Sequence, residues 1–186
     1  MRRYYITDRH AAGGVPGLLR AVERAVRDGV QMIQVRERDL PPRALLELVQ
    51  AVLRVTVDSA TQVLVNDRLD VALAAGAQGV HLRSSSVAVE SVRGVVAPGF
   101  LIGVSCHTAA DLAQASAADF VVLSPVFTKL GYAPALGLEC FGAMARQARP
   151  PVYALGGVTQ ENAAACLAAG AAGIAGISLF QDGFGA

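Results

Sequence analysis

The chain has 186 residues, enough for one domain with a sizeable core, and 53% of them are apolar while only 5% are aromatic. Sixteen basic and fifteen acidic residues leave a formal charge of +1, which argues against nucleic acid as the main partner, since that needs a clearly basic face. Without Trp, the core has to be built mostly from Ala, Val, Leu and Ile. Cys106, Cys140 and Cys166 lack metal-like spacing and read as free thiols of a reducing, cytoplasmic compartment. The opening MRRYYITD has no apolar h-region, so no signal peptide is expected.

The first β-type run is Arg3–Thr7, followed by a helix over Pro16–Asp28. Met32–Arg36 is the second strand and Pro42–Val55 the next helix. Pro42 opens that helix where a missing N–H costs least, and Leu45, Leu48, Val49 and Val52 make a one-sided apolar stripe. Strand Gln62–Asn66, helix Arg68–Ala75 and strand Gly79–Leu82 come next. Strand Leu101–Ser105 precedes helix Ala109–Ser116, and strand Phe120–Ser124 precedes strand Val152–Gly156. Helix Gln160–Ala169 and strand Ile174–Ser178 complete the pattern. Most strands are near-continuous apolar runs, as burial on both faces requires. The uncharged stretch Ala163–Phe180 is long enough to raise a membrane span, but Gly170, Gly173 and Gly176 interrupt it. It reads as buried α/β core, so no membrane partner is expected.

One unit recurs: AVRDGVQMIQV, LAAGAQGVHL, ASAADFVVL and LAAGAAGIAGI each end a helix, turn tightly and enter a strand. Gly29, Gly76 and Gly170 fall where a helix end needs positive φ, whereas the third copy turns at Ser116 without Gly. Eight strands at spacings of roughly 20–30 residues predict an α/β fold, a single small (β/α)8 TIM barrel over residues 1–186. A doubly wound open sheet is the runner-up, and it lacks the Gly-rich fingerprint after the first strand. Only seven residues follow Leu179, so the last helix is short or missing, and a homodimer covering the last strand is expected.

Residues past the C-terminal ends of barrel strands share one mouth. Thr7 and Asp8 follow the first strand, and Gln34, Arg36 and Arg38 alternate along and beyond the second. Asn66 and Asp67 follow the third; His81 and the stretch from Arg83 to Ser86 belong to the fourth. Ser105 and His107 mark the fifth, and Ser124, Thr128 and Lys129 the sixth. Gly156 and Gly157 follow the seventh and Ser178 ends the eighth. Plainer uses exist: Asp67 as a helix cap, His81 as a core histidine, Arg36 and Arg38 as surface partners of Glu37 and Asp39. Cations, hydroxyls and bare amides together suit a small phosphorylated substrate, with Gly156-Gly157 offering N–H groups to a phosphate. The loop carrying Lys129 is long enough to act as a lid.

YYITDR, QVRERD, VNDRLDVALAAGAQGVHL, IGVSCHT, SPVFTK, LGLE, ALGGVTQEN and GISLF follow one another from residue 4 to residue 180. This ordered set resembles the thiamin phosphate synthase/TenI superfamily. The resemblance implies a (β/α)8 barrel of thiamin biosynthesis. Its synthases are transferases, thiamin-phosphate diphosphorylases, that join hydroxymethylpyrimidine diphosphate to thiazole phosphate and release pyrophosphate, with Mg2+ neutralising the diphosphate. By that likeness Gln34, Arg36 and Arg38 contact the pyrimidine and the diphosphate. Asp67, next to Asn66, is a Mg2+ ligand, and Ser105 lies near the pyrimidine. Gly156, Gly157 and the turn after Ser178 cradle the thiazole phosphate. Arg36, Arg38, Ser105 and Lys129 are then the catalytic set, with His81, Arg83, His107 and Thr128 among the substrate-binding residues.

The chain departs from the synthase pattern in three places. Arg38 replaces a Lys; Ser86 stands where the second Mg2+ carboxylate is expected; the run Phe127-Thr128-Lys129 is shorter by about three residues. The TenI branch includes thiazole tautomerases, which use a His after strand six where Ser124-Pro125 stand here. A tautomerase reading therefore rests on His107 or His81 as general acid/base. A non-catalytic binder of thiazole or thiamin phosphate is the third reading.

Overall fold

The apolar runs form strands at the expected places in a computed structural model, which describes residues 1–128 and 134–181. The strands are β1 (Arg2–Ile6), β2 (Met32–Val35), β3 (Gln62–Asn66), β4 (Gly79–Leu82), β5 (Leu101–Cys106), β6 (Phe120–Leu123), β7 (Val152–Ala154) and β8 (Gly173–Gly176). They follow one another in sequence order as a closed barrel, which sets aside the open doubly wound sheet. Helices α1 (Val15–Arg27), α2 (Pro42–Thr56), α3 (Leu69–Ala75), α4 (Val89–Arg93), α5 (Ala109–Gln114), α6 (Gly137–Gln147), α7 (Gln160–Ala168) and α8 (Ser178–Gln181) alternate with them. Two compact units divide the chain: Arg3–His81 with the residues from Ile177 onward, and Met1–Arg2 with Leu82–Gly176. No helix among the described residues is long and apolar enough to cross a membrane.

In the first unit β1 to β4 pair in parallel, with Ile6 opposite Gln34, Val35 opposite Val65 and Asn66 opposite His81. The stripe on α2 is buried at Leu45, Leu48, Val49 and Val52, as its 3/4 spacing demands. Gly76 ends α3 in the left-handed region at φ 73°, where a side chain is strained. The last helix is a single four-residue turn. It docks through Phe180 against the Tyr5 ring at 6.5 Å between centroids, and Arg24 Nη2 donates to the Gln181 carbonyl at 2.6 Å.

In the second unit β5 to β8 are parallel, with Cys106 opposite Leu123, Leu123 opposite Ala154, and Ala154 opposite Ile174. Capping boxes start two helices. Thr108 and Asp111 exchange side-chain and backbone hydrogen bonds at α5, and Thr159 and Asn162 do the same at α7. Sequence periodicity marks neither α4 nor α6. The first has five residues, too few to show a period, and the second buries only Phe141 and Gly142. The eighth strand stops at Gly176, so Ser178 opens α8 instead of ending a strand.

The strands bury few polar groups, and those inside are partnered. Gln34 Nε2 donates to the Tyr4 hydroxyl at 2.9 Å, and that hydroxyl lies 3.1 Å from His81 Nδ1. All three residues are at most 2% exposed. Burial pushes the His81 imidazole down to about 3, the Arg36 charge adds to the shift, and Asp67 opposes it.

A pH dependence follows from that neutral ring. Its folded pKa lies below the ordinary 6.5, so protons favour the unfolded chain between the two values. Stability from His81 is complete above pH 6.5 and is lost as pH falls toward 3. The urea midpoint should therefore fall as pH drops from 6.5 to just above the carboxylate range, as the unfolded chain takes up about one more proton than the folded one. His81→Gln should weaken that pH dependence.

Candidate functional site

At the C-terminal ends of β1 and β2 a buried carboxylate organises two loops. Glu37 is 4% exposed and accepts from Thr7 Oγ1 at 2.6 Å and from Arg9 Nη1 at 3.1 Å. The Arg9 backbone N–H also reaches both of its oxygens, at 3.1 and 3.2 Å. Arg9 continues outward to Asp39, whose Oδ1 accepts from Nη1 at 2.6 Å, and His10 Nε2 lies 3.1 Å from Asp39 Oδ2. The Arg9 guanidinium, then His10, hold the Asp39 carboxyl well below the usual carboxylate range. Glu37 and Asp39 thus engage Arg9 and His10.

Arg36 is half-buried, and its N–H donates to Thr7 Oγ1 at 3.0 Å. The alternation that groups Gln34, Arg36 and Arg38 does not extend to Arg38. The strand stops at Val35, a turn closes with Leu40 N–H on the Glu37 carbonyl at 3.2 Å, and Arg38 is exposed on it.

After β3, Asp67 adopts φ 60° and is the single positive-φ non-glycine among the described residues. Asp tolerates that region better than most residues, yet such backbone persists where its surroundings enforce it. Here the Asp67 N–H donates to the His81 carbonyl at 2.8 Å, and Arg68 N–H donates to Asn66 O at 2.8 Å. Arg68 turns away to Asp70 at 2.6 Å, so its charge is not offered to a ligand. Asn66 and Asp67 are half-buried.

In the second unit the stretch from Arg83 to Ser86 closes on itself. Arg83 N–H donates to Ser86 Oγ and Ser86 N–H to the Arg83 carbonyl, both at 3.0 Å. The Ser86 hydroxyl is therefore a turn-closing acceptor. Ser105 lies half-buried within β5, and next to it burial pushes the Cys106 thiol up to about 12, with the Asp111 charge adding to the effect, so that thiol is inert. His107 is exposed, and its Nδ1 donates to the Ser124 carbonyl at 2.8 Å, which leaves Nε2 as the ring nitrogen not engaged by that carbonyl.

Gly156 and Gly157 have φ 93° and 66°. A Cβ on Gly156 would lie 2.8 Å from Pro125 Cα, and one on Gly157 2.7 Å from Phe127 Cβ. Their carbonyls are taken, by Phe127 N–H at 2.9 Å and Asn162 Nδ2 at 2.9 Å, while their N–H groups find no acceptor among the described residues. This is the polarity an anion site needs. Thr128 is exposed, Ser178 is exposed on α8, and Lys129 lies outside the described residues.

Within the units, then, Thr7 links Gln34 to Arg36, Asn66 pairs with His81 across the ladder, and His107 meets Ser124. Among the described residues no three His, Cys, Asp or Glu side chains form a metal-binding group. Asp67 alone suits a Mg2+ held chiefly by substrate phosphate oxygens, since that ion commonly takes one or two carboxylates. Glu37, Arg9 and Tyr4 escape the sequence reading. Glu37 lies between two arginines, a pattern that resembles a local charge pair, and only the approach of the β1 loop reveals its burial.

The comparisons agree across nearly the whole chain. A profile of the family described as thiamine monophosphate synthase matches residues 3–180. A Geobacter sulfurreducens relative, provisionally named a thiamine-phosphate synthase, is 46% identical over 180 residues, covering 94% of this chain and 84% of its own. The thiamine-phosphate synthase of Roseiflexus sp. (strain RS-1) is 40% identical over 180 residues, covering 94% and 76%. The solved thiamine phosphate pyrophosphorylase from Pyrococcus furiosus superposes with a TM-score of 0.86 at 30% identity, covering 98% of this chain and 88% of that one. With the barrel order, the strand-end residues and this match in hand, the chain belongs to the thiamine monophosphate synthase family.

Proposed function

We propose that the chain is a thiamin phosphate synthase, joining hydroxymethylpyrimidine diphosphate to thiazole phosphate. The observation that carries the reading is Asp67, a carboxylate held in left-handed backbone at the end of β3, one residue from Asn66. In the reaction the bond from the pyrimidine methylene carbon to the diphosphate oxygen breaks, and its electron pair leaves with pyrophosphate. The thiazole nitrogen then gives its lone pair to that carbon, which makes the thiazolium. Asp67 would hold a Mg2+ ion, which would supply positive charge to the leaving diphosphate. Arg36, and Arg38 from its exposed turn, add fixed positive charge for the same oxygens. Gln34 and Ser105 are the side chains assigned to the pyrimidine. The outward N–H groups of Gly156 and Gly157 take the thiazole phosphate. His81 stays a neutral core group. The free thiols, two of them buried, support a reducing cytoplasmic setting.

A second reading has one specific observation behind it. With Nδ1 engaged by the Ser124 carbonyl, His107 has only Nε2 to offer as a general base, so thiazole tautomerisation is worth testing directly. A tautomer ratio that the protein leaves unchanged removes that reading.

The synthase reading is tested by mixing the protein with both substrates and Mg2+. Pyrophosphate and thiamin phosphate should appear in equal amounts; no pyrophosphate at any Mg2+ concentration sinks it, and its appearance removes the non-catalytic binder. Asp67→Asn keeps a residue that tolerates left-handed backbone but removes the charge, so the Mg2+ needed for half-maximal rate should rise by about tenfold or more. Gly157→Ala places a methyl 2.7 Å from Phe127 Cβ at φ 66°. The KM for thiazole phosphate should rise by about tenfold, with the KM for the pyrimidine diphosphate nearly constant.

A further inference from the structure

We propose that Thr7 and Glu37 are positioning residues for Arg36, acting through a single hydroxyl; this rests on the synthase reading above. Thr7 is fully buried at the end of β1. A threonine hydroxyl has one proton and two lone pairs. The proton goes to Glu37 Oε1 at 2.6 Å, so the oxygen faces Arg36 as an acceptor, and the Arg36 N–H donates to it at 3.0 Å. On its other side the Thr7 N–H donates to the Gln34 carbonyl at 2.9 Å. One residue beyond β1 therefore holds the backbone at two alternate positions of β2 and its continuation.

The carboxylate sets the direction of this chain of bonds. Arg9 gives the Glu37 carboxylate a backbone and a guanidinium N–H. An ionised acceptor shortens and strengthens the hydroxyl bond, and the polarised hydroxyl becomes the better acceptor for Arg36. Arg9 also balances the charge, so Glu37 does not oppose an anionic substrate as an unpaired neighbour. Arg36 reaches phosphate oxygens with a planar fork whose aim depends on where its Cα is held. Fixing the peptide N–H of residue 36 fixes that aim.

Steady-state kinetics of Thr7→Val and Thr7→Ser for both substrates test the idea. Thr7→Val should raise the KM for the pyrimidine diphosphate by about tenfold and move that for thiazole phosphate by less than about twofold. Thr7→Ser, which keeps the hydroxyl, should restore the wild-type value. Inorganic pyrophosphate with Mg2+, titrated calorimetrically, should lose affinity in the valine variant alone. The Arg36 amide should exchange its hydrogen faster in Thr7→Val than in wild type or Thr7→Ser. Equal KM values in wild type and Thr7→Val overturn the proposal, and so does a parallel rise in both KM values, the mark of a generally loosened fold. Absence of pyrophosphate release from the wild type would sink the synthase reading. In that case pyrophosphate affinity and Arg36 amide exchange still decide this inference, and no change in them rejects it.

Discussion

A strand buried on both faces leaves its polar side chains two places to go: into a network that answers every donor and acceptor, or to the strand end. This constraint governs the whole chain. Inside, Gln34, Tyr4 and His81 answer one another and burial keeps the imidazole neutral. At the ends, Thr7 ties two loops together from a buried position, while Asp67, His107 and Gly156-Gly157 turn away from the apolar ladder and are at least partly exposed. Chemistry is concentrated there because the core does not tolerate it.

The strand ends divide by what they can offer. Those of the first unit combine cations with one carboxylate in left-handed backbone, a set suited to a diphosphate and its metal. Those of the second unit include the Gly156 and Gly157 amides as well as Arg83 and His107, a polarity suited to an anion. The membership of the chain in the thiamine monophosphate synthase family gives both sets a chemical context.

Much of this is legible in the residues. Continuous apolar runs mark the strands, the α2 stripe marks its buried face, and Gly29, Gly76 and Gly170 have the positive φ their positions demand. What escapes is of two kinds. Short or glycine-bearing helices such as α4 and α6 carry too little period to be seen. The other kind is long-range: Thr7 and Glu37 stand 30 residues apart, and nothing local tells a buried Glu from an exposed one. The strand-like alternation of Arg38 with Arg36 is lost for a related reason. Alternation persists in the letters after Val35, whereas the backbone has already turned.

The Gly156-Gly157 turn has a consequence for how the protein can change. Its backbone is locked to the Pro125–Phe127 segment by two hydrogen bonds, Val126 N–H to Leu155 O and Phe127 N–H to Gly156 O, each 2.9 Å long. A Cβ at position 157 meets the Phe127 Cβ, and one at position 156 meets the Pro125 backbone. Neither glycine can vary alone. A side chain at this turn displaces the Pro125–Phe127 segment, so the shape of one loop depends on the residue chosen in the other.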